Sequence, residues 1–466
     1  MKRRAVIVID IGKTLAKLSL WHADGSLIAR ETRANQPVDA GGYVALDVAG
    51  IEAWLAEVLA TFAPLADVGA IIPVGHGAGA ALVRDGKIAV PPMDYEAPIP
   101  VELRADYDAL RSPFAETGSP SLPDGLNLGA QLYWLQALNP AAFAGAQILL
   151  WAQYWSWLLS GVAASEVTSL GCHTDLWNPA RGEPSGLAKR MGWAARLPPL
   201  RTAADVLGPI TAGWAAKTGL RTDTQIHCGI HDSNAALIAA RAFPEIADGE
   251  ATVLSTGTWF VAMRTPAVPV DLTTLPEARD CLVNVDAFGQ PVPSARWMGG
   301  REIETQIGID TRRVDIKPDQ PALLAAVAMV VATGAMLLPG FAPGCGPFPA
   351  MAGRWINQPD DWFARRAAVC LYAAMVTNVS LNLIGARRAI LIEGRFAEAE
   401  VFVRALASLR PDDAIYVANA HNDVSFGALR LLDPSLKAAG VLERVQPLET
   451  DLTAHQALWA KSCSTT

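Results

Sequence analysis

With 466 residues, 51% of them hydrophobic and 18% charged, the chain exceeds what one core usually supports and is too apolar for wholesale disorder. A formal net charge of −8, with no basic run beyond Met1-Lys2-Arg3-Arg4, argues against nucleic-acid and anionic-membrane partners and points to small-molecule chemistry. Six cysteines without any CxxC pair predict a reduced, cytoplasmic protein rather than a disulfide-stapled one.

The apolar run Ala5 to Ile9 predicts a strand, too short for a signal peptide because Asp10 follows at once. The turn Ile11-Gly12-Lys13-Thr14 and the alternating Leu18-Ser19-Leu20-Trp21 predict a returning strand, and Ala23 to Ser26 the next hairpin turn. Apolar positions Ile51, Leu55, Val58 and Leu59 predict a helix up to Phe62. Further along, Gln225 to Gly229 reads as a strand and His231 to Ala242 as a helix. After the polar break from Pro244 to Glu250, a second strand, Ala251 to Leu254, leads into Ser255-Thr256-Gly257-Thr258, so a domain boundary is expected near residue 245. The uncharged stretch Leu323 to Leu338 falls short of the ~20 residues of a bilayer span and predicts a buried helix running into a strand. A long helix from Trp362 to Leu383 and a strand from Ala389 to Ile392 precede a small-residue turn, Glu393-Gly394-Arg395.

Asp10, Gly12, Lys13 and Thr14 put a carboxylate, a close-approach glycine, a cation and a hydroxyl at the end of a strand, a set able to hold Mg²⁺ beside a polyphosphate. Ile7 stands where a Walker A sequence needs its first glycine, so this is no P-loop, and an ordinary hairpin accounts for the residues as well. Thr256, Gly257 and Thr258 repeat the logic in the second half of the chain. In Gly229-Ile230-His231-Asp232, Asp232 is a candidate general base for a hydroxyl nucleophile; an N-cap aspartate is the competing reading. His173 and Asp175 are candidate contacts for sugar hydroxyls, against a capped surface turn. Two other sites are considered: a zinc cluster at His227, Cys228 and His231, which lacks further ligands, and a dinucleotide fingerprint at Gly75 to Ala80, whose helix is cut short by Arg84-Asp85-Gly86 and whose acid, Asp94, follows Pro91-Pro92.

In this order the motifs resemble the FGGY carbohydrate kinases of the actin/hexokinase-like ATPase superfamily along nearly the whole chain. Asp10 to Thr14 resembles the first phosphate loop, His76-Gly77 the sugar-contacting turn, and Met93 to Glu96 the substrate segment. Gly229 to Asp232 matches the catalytic GxxD, Ser255 to Trp259 the second phosphate loop and Ala389 to Leu409 the adenosine region. The resemblance implies an α/β protein of two actin-like ATPase (ribonuclease H-like) domains around a central cleft, with residues 1–245 binding sugar and 246–466 binding nucleotide. It further implies Asp232 as base, Asp10 at Mg²⁺, and His76, Gly77, Asp94, Glu96, His173, Asp175 and His231 at the sugar. Gly12, Lys13, Thr14, Gly257, Thr258, Gly394 and Arg395 are implied at ATP. His231-Asp232 and Ser-Thr-Gly-Thr-Trp are similar to the rhamnulokinase and fuculokinase branch, whose substrates are deoxyketoses. Lys13 and Glu393 depart from the family pattern, Glu393 standing where a glycine is usual. An NAD-dependent oxidoreductase and a non-catalytic actin-like ATP-binding protein are the alternatives; a homodimer is left open.

Overall fold

A computed structural model describes residues 4–420 and 422–464; Met1 to Arg3 of the basic opening lie outside them. By its internal contacts the chain divides into two units, one of Met1–Ala242, Val283–Pro291 and Asn422–Ala438, the other of Phe243–Leu282, Val292–His421 and Ala439–Thr466.

The first unit is built on a mixed sheet in the order Val206–Pro209, Gln225–His227, Val68–Gly75, Ala5–Ile11, Leu15–Trp21, Leu27–Ala34, with Ile230–His231 also paired to Val68–Gly75. Strand Ala5–Ile11 is apolar on both faces because both are covered. Ile7, Ile9 and Ile11 pack with Ile51, Leu55 and Leu59 of helix Val48–Phe62, while Val8 joins Ile72, Val74 and Ala428 on the other side. Helix Val48–Phe62 starts where Asp47 accepts a 2.9 Å hydrogen bond from Gly50 N, and its apolar residues recur at helical spacing. Removing one of these buried isoleucines, as in Ile9→Ala, costs about 2–5 kcal/mol on general cavity grounds.

The registers of this sheet build the site. Ile11 and His231 both lie opposite Gly75 across parallel pairings, so three strands end at the same level. Residues at or just past carboxyl ends of parallel strands crowd one edge of such a sheet. Asp10, His76-Gly77 and Asp232 are brought together there.

The second unit repeats this plan. Six of the seven strands of its sheet run, in order, Pro291–Trp297, Phe260–Thr265, Ala251–Thr256, Ala389–Gly394, Ala414–Ala418, Leu442–Arg444. An antiparallel hairpin, Ala251–Thr256 with Phe260–Thr265, again has a parallel partner, Ala389–Gly394, with Thr256 opposite Gly394. Helix Trp362–Leu383 matches its expected span, capped by Asp361, which accepts from Ala364 N at 2.7 Å. The stretch Leu323 to Leu338 forms the expected helix and strand, Gln320–Thr333 and Met336–Leu338, but the helix buries only Gln320, Leu323, Val327 and Val330. Alanine-rich composition sets no burial on its own, and Ala325, Ala328, Met329 and Ala332 are exposed. No helix among the described residues is long and apolar enough to cross a membrane.

Candidate active site

In the first unit, the turn after Ile11 is tight: Gly12 N donates to Leu15 O at 3.0 Å, and a Cβ on Gly12 would lie 2.9 Å from that oxygen. Asp10 sits just inside the turn, opposite Lys17, whose Nζ is 3.1 Å from Asp10 Oδ2 and 3.4 Å from Asp423 Oδ2. Asp423 caps helix Val424–Leu432, which packs on helix Asp232–Ala240, and also takes Arg30 at 2.7 Å. Burial, with help from Asp232 and Asp423 and against the pull of Lys17, pushes the Asp10 carboxyl up to about 6. Such a carboxylate accommodates a divalent cation readily, because the cation's charge offsets the burial.

Lys13 does not point free toward a phosphate. Its Nζ is 3.0 Å from Asp94 Oδ1, pairs with Glu96, and lies 4.8 Å from the centre of the Tyr95 ring. Lys13, Thr14, Asn35, Asp94, Glu96 and Trp151 line a cavity of about 320 Å³, and Trp151 is fixed by donating Nε1 to Ile11 O at 3.1 Å.

His76 is buried between Tyr95 and Trp151, at ring-centre distances of 5.3 and 5.5 Å. Its Nδ1 lies 2.7 Å from Gly77 O, and its Nε2 is buried without a hydrogen-bond partner among the described residues, an atom suited to a ligand hydroxyl. Burial holds this imidazole below its ordinary pKa and hence neutral. Gly77 has no room for a side chain: a Cβ would run into Cys172 Sγ and come within 2.9 Å of His231 Nε2.

Helix Asp232–Ala240 does not use Asp232 as its N-cap. His231 occupies the cap position, and Asp232 is the first helical residue, its Oδ1 accepting from Ser233 N at 2.6 Å and facing His231 Nε2 at 3.1 Å. Its side chain is 31% exposed. Burial pushes this carboxyl up, but His231 outweighs it and holds the pKa below the usual carboxylate value.

His173 and Asp175 both adopt left-handed backbone, φ 37° and 65°, and His173 has its Nδ1 2.6 Å from Leu126 O. Asp175, expected at the sugar, has its carboxylate already engaged. It is 1% exposed and its carboxylate is taken up by Arg111 Nε at 3.0 Å, Arg111 Nη2 at 2.9 Å and the Tyr107 hydroxyl at 2.5 Å. The pair with Arg111 satisfies a buried charge rather than presenting one.

The other two candidate sites do not form. Gly75 to Gly79 leads into strand Ala80–Arg84, not a helix, so the helix N-terminus that a dinucleotide pyrophosphate needs is missing there. His227 turns its Nδ1 to Ala204 O at 2.7 Å, and no group of three or more His, Cys, Asp or Glu among the described residues is arranged to hold a metal ion.

In the second unit, Gly257 N donates to Trp259 O at 3.0 Å across the hairpin turn. Gly300, at the start of helix Gly299–Ile307, packs so closely that a Cβ there would collide with Gly257 O. Gly394, φ 88°, presses on the backbone of Thr256, and Thr256 Oγ1 donates to Glu393 O at 2.5 Å while accepting from Phe396 N at 3.2 Å. Gly257, Thr258, Gly394 and Arg395 are therefore neighbours, with Arg395 3.3 Å from Glu304 and stacked on Phe396. Burial pushes Glu393 up to about 7.

Comparison with known proteins adds the family. The profile described as "Carbohydrate kinase FGGY, C-terminal domain" matches residues 248–439. A carbohydrate kinase from Novosphingobium aromaticivorans is 60% identical over 98% of this chain and 100% of its own, with a TM-score of 0.96. The chain belongs to the FGGY carbohydrate kinases. A gluconate kinase from Lactobacillus acidophilus (TM-score 0.81, 16% identity, 99% and 97% of the two chains) and a xylulose kinase from Rhodospirillum rubrum (0.78, 18%, 99% and 98%) share the fold. A search of curated protein sequences finds no match. The two sheet-bearing units are those of the actin-like ATPase fold, and this FGGY kinase is a phosphotransferase that uses ATP and a sugar alcohol group as acceptor.

Four residues that the sequence did not single out contact the candidate groups: Lys17, Asp423, Cys172 and Glu166. Lys17 was legible only as an inward position of a strand, and Asp423 only as a helix cap. Cys172 and Glu166 surround His231. Cys172 Sγ is 3.3 Å from His231 Nε2, and Glu166 holds the Thr168 hydroxyl, at 2.5 Å, that in turn accepts from His231 N at 3.0 Å.

Proposed function

We propose that this kinase phosphorylates a hydroxyl of a small sugar, a (deoxy)ketose such as rhamnulose or fuculose or a related ketose or polyol, with Asp232 as the general base. The observation that carries the reading is the convergence of Asp232, His76 with its unpartnered Nε2, and Asp10 at one sheet edge of the first unit. Asp232 is ionised, partly exposed and anchored through one oxygen, Oδ1, as a base that accepts a hydroxyl proton must be. His76, Gly77, Asp94, Glu96, His173 and His231 would bind and orient the sugar; Asp175 is left to shape the loop that carries His173. Because of its two carboxylate partners, Lys13 is assigned to the sugar cavity rather than to phosphate.

The unit that holds most of residues 1–245 is thus read as sugar-binding and the one that holds most of 246–466 as nucleotide-binding, with Val283–Pro291 and Asn422–Ala438 belonging to the first. In the second, the backbone at Gly257 and Thr258 and the close-packed Gly394 and Arg395 offer N–H groups and space to ATP. Asp10, with Thr14 beside it, would hold Mg²⁺, which supplies charge neutralisation at the phosphates; with few protein ligands the ion would keep water and phosphate oxygens. Six cysteines, none of them in a disulfide among the described residues, support a reducing, cytoplasmic setting.

The test is sugar-dependent ADP release across rhamnulose, fuculose, xylulose, gluconate and glycerol. A preference in kcat/KM for one of the ketoses or the polyol is expected; a preference for gluconate would overturn the substrate class.

A further inference from the structure

We propose that Cys172 and His231 are a pair of positioning residues, a buried thiolate and imidazolium that hold the Asp232 carboxylate ionised and aimed. This rests on the reading of Asp232 as the base.

Geometry brings the three groups to one atom. His231 Nε2 faces Cys172 Sγ at 3.3 Å and Asp232 Oδ1 at 3.1 Å, so one N–H stands between two acids. The His231 backbone N donates to Thr168 Oγ1, and both the ring and the sulfur pack on Gly77, where a Cβ would meet Cys172 Sγ and His231 Nε2. The other ring nitrogen faces an amide. Asn234 Nδ2 lies 3.2 Å from His231 Nδ1, and Asn234 Oδ1 is buried with no partner among the described residues. Amide oxygen and nitrogen are assigned from hydrogen bonding, so an Asn234 amide turned the other way accepts from a proton on Nδ1. In that arrangement His231 carries a proton on both nitrogens, with an acid on either side of Nε2.

The surrounding charges agree. Burial alone would deprotonate His231, but Cys172 and Asp232 outweigh it and hold its pKa well above the ordinary value. For Cys172, burial pushes up and His173 and His231 pull down more, to about 6. The remaining titratable neighbours are His76, neutral by burial, Glu166, raised by burial and bonded to Thr168 and Ser169, Asp10, raised to about 6 by burial with the Asp232 charge adding to the rise, and Tyr95, raised by burial. A serine at 172 would keep the shape and lose the negative charge, which is why sulfur matters here.

The experiment compares wild type, Cys172→Ser, His231→Gln and Asp232→Asn by pH profile of sugar kcat/KM, ATP affinity, melting temperature and ultraviolet thiolate absorbance. In wild type the thiolate should titrate well below the ordinary thiol value of ~8.5, and in His231→Gln its midpoint should move up. His231→Gln should raise the acid limb of the rate profile by about one pH unit, since Asp232 loses the cation that keeps it ionised. Cys172→Ser should leave the acid limb nearly in place and bring the alkaline decline to lower pH, because His231 loses its charge sooner. ATP affinity should not change in either. Unchanged limbs with activity lowered evenly at all pH values, or a wild-type thiol that ionises only near ~8.5, overturn the pair while leaving the base reading intact. Full activity in Asp232→Asn would instead overturn the base, and the pair with it.

Discussion

The two hairpin turns of this kinase, Ile11 to Leu15 and Thr256 to Phe260, have the same backbone plan and opposite surroundings. Each lies between antiparallel strands beside a parallel third strand. Around the first stand ionised side chains: Asp10, Lys13, Lys17, Asp94, Asp423. The second is walled by backbone and glycine, Gly257 against Gly300 and Gly394 against Thr256. On the proposed assignments one framework would serve two tasks: charge placed for proton and metal handling in the first unit, and bare peptide groups placed for phosphate in the second.

The comparison breaks most visibly at Asp232. A positioned base contributes about 10²–10⁴-fold, so Asp232→Asn should lose that much kcat in steady-state assays while its melting temperature stays put. Because His231, not Asp232, is the cap residue, lost helix capping does not account for such a loss. Asp10→Asn comes next: the Mg²⁺ concentration for half-maximal rate should rise about 10–100-fold, measured by metal titration at saturating ATP. In the second turn, Gly300→Ala forces a methyl against Gly257 O, and overpacking of about 1–3 kcal/mol should weaken ATP binding roughly tenfold without raising the sugar KM. Lys13→Met separates sugar from phosphate more finely: sugar KM should rise, up to about tenfold, with ATP KM unchanged.

The smallest effect concerns Glu393, whose folded pKa of about 7 lies above the model-peptide value of ~4.3. A carboxyl raised on folding binds its proton more tightly in the native state, so its contribution is full below the unfolded pKa and is lost as pH rises through 7. Glu393→Gln should therefore stabilise the protein at pH 8 by roughly 1–3 kcal/mol and leave it unchanged at pH 4, read by denaturant melts at both.

Local signals explain what the sequence could convey. Both turns and the Gly-Ile-His-Asp segment are apolar runs that stop at Asp, Gly or a hydroxyl, and chain order alone makes them visible. Asp423 is different: it reaches Lys17 across 406 residues, through a helix whose only local mark is its cap. Asp175 misled because its polar neighbourhood suggests a surface turn, while Arg111 and Tyr107 arrive from elsewhere to bury it. Cys172 carries no pattern at all; only the fold sets its sulfur on His231.

The division of labour is tested most directly by titrating ATP calorimetrically into Asp232→Asn, the variant whose turnover is expected to be lost. The account predicts wild-type ATP affinity, because the groups assigned to the nucleotide lie at Gly257, Thr258, Gly394 and Arg395. An ATP affinity that falls along with kcat would contradict it.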